Sequence, residues 1–132
     1  MADLSHFYLN SDYTAPKETH SFSATLNSGA TNVGSYNSNT KYIDITVPSG
    51  AFFENVTLTL SLTGETTPSP FMVYIKDLGN YEFYQITASL VKTNATTYRL
   101  YAYLQNMAGS TKTIPAFTLT AKAHLLVSAF DQ

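Results

Sequence analysis

The sequence predicts an all-β protein that folds as a single β-sandwich of jelly-roll type, with seven to eight antiparallel strands. The chain contains 13 Ser, 19 Thr, 9 Asn, 10 Tyr and 8 Phe among its 132 residues, so residues that favour strands and turns dominate. Apolar and polar residues alternate along several segments, and no segment repeats apolar residues at helical spacing for three turns. Short turn signals separate the segments, which is typical of a sandwich or a jelly roll.

The first half of the chain contains three predicted strands. They are His20–Leu26, Lys41–Val47 and Asn55–Leu62, each with apolar residues at every second position. The third has the clearest alternation, and its expected core-facing members are Val56, Leu58, Leu60 and Leu62. The stretch 27–39 is rich in Ser, Asn and Gly, so we expect a long surface loop there.

The second half contains four more predicted strands. They are Phe71–Ile75, Tyr81–Val91, Thr96–Gln105 and Ala116–Phe130. In the first of them we expect Phe71, Val73 and Ile75 to share one face. Residues 92–95 separate the second strand from the third, so this pair is predicted to form a hairpin.

The domain prediction is an N-terminal arm over residues 1–18, followed by the sandwich over 19–132. Residues 1–16 have neither the basic nor the apolar region of a secretory signal, so synthesis in the cytoplasm without export is expected. No apolar stretch is long enough to span a bilayer, so no membrane partner is expected. Charged residues make up only 12% of the chain and the net charge is −2, which argues against a nucleic-acid partner.

The sequence shows no catalytic or cofactor motif, and we expect neither an enzyme nor a cofactor. There is no Cys, which excludes thiolate metal sites and a Cys nucleophile. His20 and His124 lie on different predicted strands, and neither has a second ligand at metal-binding spacing. Asp44 and Glu82 are the only carboxylates within predicted strands, and an outward-facing position explains both more simply than a glycosidase pair does.

The strongest functional signal is the strand Thr96–Gln105. If its buried face carries Leu100 and the residues in phase with it, then Arg99, Tyr101 and Tyr103 point the other way. Tyr and Arg are enriched at protein interfaces. We therefore predict that these three residues form an oligomer interface in which another copy of the chain covers the sheet.

The chain also resembles structural proteins of tailed bacteriophages in style. It is short, lacks Cys and Trp, is rich in Thr, Ser, Asn and Tyr, and ends in the long apolar strand TIPAFTLTAKAHLLVSAFDQ, which is similar to the last strand of such domains. The resemblance covers capsid cement (decoration) proteins and the receptor-binding heads of tail fibres. Both often use trimeric jelly-roll-like domains. The resemblance implies a homotrimer on the outer capsid surface of a virion.

Between these two groups, length favours a cement protein, because few residues precede the first clear strand and they show no heptads. The major capsid protein is then the expected partner. The arm would dock on the capsid or on an adjacent copy through Phe7, Tyr8, Leu9 and Tyr13, since a linear segment can order on binding. The alternatives are a tail-fibre or spike receptor-binding head and a small carbohydrate-binding module.

Overall fold

The computed structural model describes residues 17–63, 69–70 and 72–128. Within these ranges, the chain forms ten β-strands and no helix. Their bounds are β1 Lys17–Ser28, β2 Thr31–Val33, β3 Ser38–Thr46, β4 Phe52–Leu62, β5 Ser69–Pro70, β6 Val73–Gly79, β7 Glu82–Asn94, β8 Thr97–Met107, β9 Lys112–Ile114 and β10 Phe117–Ser128.

The strands form two four-stranded antiparallel sheets and a two-stranded ribbon. Sheet 1 has the order β1-β10-β4-β5, sheet 2 has the order β3-β8-β7-β6, and the ribbon pairs β2 with β9. The all-β, antiparallel prediction is confirmed. Seven strands are long, and the other three have only two or three residues each, which is why β2, β5 and β9 were not visible as alternating segments.

The core lies between the two sheets, as the alternation predicts. On β8 the residues Leu100, Ala102 and Leu104 are fully buried, and Leu119 and Ala121 of β10 meet them from sheet 1. Burying a Leu stabilises the fold by about 2 kcal/mol, so the repeated burial on β8 and β10 holds the two sheets together. This assigns the opposite side chains of β8 to the outside, as predicted.

A β-bulge in β4 overturns the prediction that Val56 faces the core. Lys122 of β10 lies opposite Thr57, whereas His124 lies opposite Glu54, so two residues of β4 oppose a single residue of β10. Asn55 takes up the extra residue with a left-handed backbone (φ 56°). Val56 is consequently 43% exposed, because the bulge shifts the inward and outward positions on its N-terminal side.

Val73 and Ile75 share one face of β6, as predicted, and that face is the outward one. The two side chains are 47% and 58% exposed, while Tyr74 and Leu78 pack against the core. Apolar residues occupy both faces of β6, so its sequence did not distinguish them. Phe71 lies outside the described residues.

The predicted loop 27–39 is more ordered than its composition indicates. It contains β2 and the first residues of β3, and it is held by the fully buried Asn106 of β8. The amide nitrogen of Asn106 donates to the carbonyl oxygens of Val33 (2.9 Å), Gly34 (3.1 Å) and Ser110 (2.9 Å), and its side-chain oxygen accepts from Ala108 N (2.9 Å). One side chain thus joins the 33–34 and 108–110 segments at this end of the sandwich.

The opposite end of the sandwich is closed by an aromatic stack. The rings of Phe22 and Phe53 lie 4.6 Å apart, and Phe53 lies 4.6 Å from Tyr98 in an edge-on arrangement. Lys92 covers the Tyr98 ring at 5.2 Å and donates to Ala51 O at 2.8 Å. The stack therefore connects both sheets beyond the central core.

Candidate interaction surface

The structure does not bring the candidate catalytic residues together. His124 points outward from β10 and lies 3.1 Å from the Asn55 amide, whereas His20 has the inward phase of β1 and approaches Glu18 at 3.8 Å. Asp44 and Glu82 lie near opposite ends of sheet 2, roughly 26 Å apart along the strands. Within the described ranges, no three His or carboxylate side chains are grouped so as to hold a metal ion.

Arg99, Tyr101 and Tyr103 do share the outward surface of sheet 2, as predicted. Each is half-buried by its neighbours on the same surface. Tyr101 lies opposite Tyr42 of β3, which brings a fourth interface-type side chain into the group. We call this surface the tyrosine face; its central members are Tyr42, Arg99, Tyr101 and Tyr103.

Arg99 is held in place by β3. Its Nε and Nη2 donate to the Oδ1 and Oδ2 atoms of Asp44 at 2.9 and 3.2 Å, and its guanidinium lies 4.0 Å from the centre of the Tyr42 ring. These hydrogen bonds hold the pKa of the Asp44 carboxyl below its usual range and raise the pKa of Arg99. Arg99 is therefore a fixed, planar part of the surface, because its guanidinium already has a bidentate partner in Asp44 and a stacking partner in Tyr42.

Sequence reasoning missed Tyr42. The alternation in Lys41–Val47 places it on the outward side of its strand, but only the β3–β8 register shows that it lies opposite Tyr101 and under Arg99. Register across non-consecutive strands is set by the whole sheet, so no local pattern could have joined these residues.

An exposed aliphatic edge continues the tyrosine face. Thr87 of β7 lies between Tyr103 and Val73, and Gln85 lies opposite Ile75. Val73 and Ile75, together with the exposed Met72, therefore form an apolar border along β6. β6 is also an edge strand of sheet 2, and its first half presents Val73 and Ile75 before the charged Lys76 and Asp77.

The outward surface of sheet 1 has a different chemistry, and we call it the hydroxyl face. Its side chains are short and mostly hydroxylic, and neighbours in register repeat the pattern across three strands. Its members are Ser21, Ser23, Thr25 and Asn27 of β1, Thr118, Thr120, Lys122 and His124 of β10, and Thr57, Thr59 and Ser61 of β4.

Two shallow depressions lie on sheet 1. One, of about 350 Å³, is bordered by Asn27, Ser61 and Thr118 at one end of the hydroxyl face. The other, of about 240 Å³, lies beside the β4 bulge and is bordered by Asn55, Lys122 and His124 among others. Both are open and mix polar side chains with a few apolar ones, so neither has the enclosing apolar walls of a typical small-molecule site.

Comparison with known proteins returns no matching protein family, no similar curated protein and no similar solved structure. In the part of the chain that the structure describes, no helix is long and apolar enough to cross a membrane. The four residues predicted to form the docking arm, Phe7, Tyr8, Leu9 and Tyr13, lie outside the described residues.

Proposed function

We propose that this chain is a non-enzymatic virion protein, a capsid cement protein that self-associates as a trimer and bridges major capsid subunits. The tyrosine face is the observation that supports it. A surface rich in Tyr and Arg, in which Asp44 and Tyr42 hold Arg99 in place next to an exposed aliphatic edge, gains free energy when another protein covers it.

The size of the tyrosine face indicates how much more contact a stable assembly needs. Four strands at their usual spacing and the length of β8 between Arg99 and Met107 give a projected area of roughly 500 Å². One partner in a standard interface contributes about 800 Å². That area already includes β6 with its exposed Val73 and Ile75, so a stable contact would have to extend beyond sheet 2.

The proposed trimer requires two different contact surfaces, and sheet 2 presents two. A threefold interface is heterologous, so each copy offers two different surfaces. The tyrosine face of one copy and the β6 edge of the same copy are adjacent but chemically distinct, one aromatic and one aliphatic. In head-to-tail closure, the tyrosine face of each copy would contact the β6 edge of the next. A twofold dimer can pair the same two surfaces reciprocally, so the solution mass distinguishes the two arrangements.

The first test is the solution mass by light scattering, at low and high salt. We expect a salt-resistant mass of three chains for the wild type, because an apolar contact is not screened by ions. Ile75→Lys should yield monomers, since it places a charge in the apolar contact. Thr25→Lys is the matched control: Thr25 is also exposed on an edge strand, but it belongs to the hydroxyl face, so this variant should remain trimeric.

The second test separates surface from fold. Changing Tyr101 and Tyr103 together to Ser should dissociate the oligomer while leaving the β signal in circular dichroism. In a further assay, the wild type should co-sediment with capsid shells of the encoding virus, whereas Ile75→Lys should not. A wild type that is monomeric and does not co-sediment with shells would overturn the proposed function.

A jelly-roll variant is our proposal for the finer topology of the sandwich. It is supported by the nesting of the long strands, because β1 pairs with β10 and β3 pairs with β8. The inner strands differ from a standard jelly roll, since β6 and β7 both lie in sheet 2. An experimental structure that lacked either nested pair would contradict this assignment.

A further inference from the structure

Two tyrosines at one end of the sandwich occupy left-handed backbone. Tyr36 has φ 55° and Tyr81 has φ 64°, a region that bulky residues rarely adopt because the Cβ approaches the backbone. Tyr36 is 68% exposed and Tyr81 is fully exposed. Neither side chain therefore recovers the cost of its backbone conformation by burial.

Tyr81 lies in a turn that favours a different residue. Gly79 pairs with Glu82 across the β6–β7 hairpin, which leaves Asn80 and Tyr81 as the two-residue loop, and both have positive φ. That is the geometry of a type I′ turn, for which Asn-Gly is the preferred sequence. Asn80 agrees with the preference, whereas Tyr81 replaces the expected Gly with a large exposed ring.

The two tyrosines border the same segment. Glu82, the residue after Tyr81, accepts a hydrogen bond from Gly109 N through Oε2 at 3.0 Å. On the other side, the Tyr36 hydroxyl lies 3.8 Å from where a Cβ on Gly109 would be. Tyr36 N also donates to Ala108 O at 3.2 Å. Gly109 therefore lies next to the Tyr36 hydroxyl and is bonded to the residue that follows Tyr81, which places the two turns side by side.

The loop that carries Tyr36 is rigid. Ser35 Oγ donates to Ala108 O at 3.1 Å, and Asn37 N donates to Gly34 O at 2.9 Å. The side-chain amide of the fully buried Asn106 donates to Gly34 O at 3.1 Å, and its backbone N–H donates to Asn37 O at 2.9 Å. A binding surface on a loop held in this way loses little entropy when a ligand orders on it.

We propose that Tyr36 and Tyr81 form a binding site for a neutral saccharide. The faces of sugar rings carry C–H groups that pack on the negative face of an aromatic ring, and their hydroxyls need the kind of polar groups that surround this pair. The exposed amides of Asn37 and Asn80 and the Glu82 carboxylate are the nearest such groups along the chain. The carboxylate disfavours acidic sugars.

A saccharide fits this site better than a protein does. The side chains next to the two tyrosines in the chain include the amides of Asn37 and Asn80 and the Glu82 carboxylate, whereas the exposed aliphatic residues Val73 and Ile75 lie on the tyrosine face and its border. A protein contact of standard size needs about 800 Å² from each partner, much more than a pair of turn tips supplies. The inference is independent of the proposed trimer and stands whether or not the tyrosine face is covered.

The test combines binding and stability in one substitution, Tyr81→Gly. We would titrate the ¹⁵N-labelled protein by NMR with neutral oligosaccharides of glucose, galactose, mannose, rhamnose and N-acetylglucosamine, and with sialyllactose as the acidic probe. The wild type should bind at least one neutral sugar, with shifts at Tyr36, Tyr81 and Gly109. Tyr81→Gly should weaken that binding by about tenfold or more and raise the melting temperature, because it installs the preferred turn residue.

Two further variants test whether the Tyr81 ring face carries the contact and whether the effect is confined to this site. Tyr81→Phe should retain binding if the ring face carries the contact, and Tyr42→Ser, a substitution on the tyrosine face, should leave sugar binding unchanged. The inference is wrong if no sugar in the panel binds, if sialyllactose alone binds, or if Tyr81→Gly raises the melting temperature while binding is unaltered. Because Tyr81→Gly leaves the tyrosine face untouched, a loss of sugar binding with an unchanged oligomer distinguishes this site from the proposed assembly function.

Discussion

The two outward faces of the sandwich are built on the same core but have opposite surface chemistry. In the hydroxyl face, Thr25, Thr120 and Thr59 lie in register across three strands, and short hydroxyls of this kind are satisfied by water or by a neighbour. In the tyrosine face, the equivalent positions carry Tyr42 and Tyr101, also directly opposite each other. Strand alternation determines which residues point outward, but it does not determine whether a face gains or loses free energy when a partner covers it.

The difference lies in what each face gains from being covered. Covering the hydroxyl face would remove water from polar groups and require replacement hydrogen bonds. Covering the tyrosine face and its border would remove apolar area at Val73 and Ile75, at about 25 cal/mol per Å². Arg99 adds little cost, because its guanidinium already has Asp44 and Tyr42 as partners. Under the proposed function, the faces therefore divide the molecule into a solvent side and a contact side.

The largest expected effect comes from the core that both faces share. Asn106→Ala should lower the free energy of unfolding by about 3–4 kcal/mol, because it leaves the buried Ala108 N–H and carbonyls of the 33–34 and 110 segments without their partner. Urea unfolding measures the change. Hydrogen exchange should show faster opening beneath both faces, since the two sheets open as one unit.

Asn27→Ala is the control for that loss. Asn27 is exposed and accepts one hydrogen bond, from Thr118 Oγ1 at 3.0 Å, so its removal should change stability by no more than about 0.5 kcal/mol. If Asn106→Ala lowered the free energy of unfolding no more than Asn27→Ala does, or if amide exchange became faster in one sheet only, the two faces would not share a single cooperative core.

A smaller effect tests the bulge that interrupts the hydroxyl face. Leu60→Ala removes a buried side chain of β4 and should cost about 3 kcal/mol. Val56→Ala, on the same strand and in the same sequence phase, should cost about 0.5 kcal/mol or less, because the bulge turns Val56 to solvent. Thermal unfolding of the two variants side by side measures the contrast. Similar losses in both would show that Val56 faces the core and that the register is continuous.

The sequence predicted the fold best where one face of a strand is wholly apolar. In β8 the buried positions follow every second residue from Tyr98 to Leu104, so the outward position of Arg99, Tyr101 and Tyr103 could be predicted. In β6 both faces carry apolar residues, so the alternation placed Val73 and Ile75 on one face without showing whether that face is buried or exposed. In β4 the pattern was clear, but a bulge at Asn55 is a property of the pairing with β10 and leaves no alternating signature.

The partners of the interface residues could not be predicted for a related reason. Arg99 and Asp44 are separated by more than fifty positions in the chain, and their contact depends on the β3–β8 register. Asn106 was missed because a buried Asn within a strand does not differ locally from an exposed one. The strain at Tyr36 and Tyr81 likewise appears only in the backbone. For Asn80-Tyr81, a turn lacking its preferred Gly was the only available signal.

The smallest expected effect is the pH dependence of the tyrosine face. The pKa of Asp44 is lowered in the folded chain by the hydrogen bonds from Arg99, so this pair stabilises the fold above the ordinary carboxyl pKa of about 4. That contribution is lost as the pH falls through the lowered pKa of the folded state. Compared with Asp44→Asn, the wild type should have a higher melting temperature at neutral pH, and the difference should shrink below about pH 4.

An NMR titration of the Asp44 carboxyl assigns this effect to the pair. Its midpoint should lie below the ordinary value in the wild type and return to it in Arg99→Gln. Both groups are partly exposed, so added salt should weaken the shift while the face is open to water. Covering the face excludes water and counterions from the pair. The shift should therefore become less sensitive to salt at protein concentrations where the chain assembles. If salt weakened the shift in the wild type as strongly as in Ile75→Lys, the variant expected to be monomeric, the tyrosine face would be in solvent, which would remove the distinction between a solvent side and a contact side.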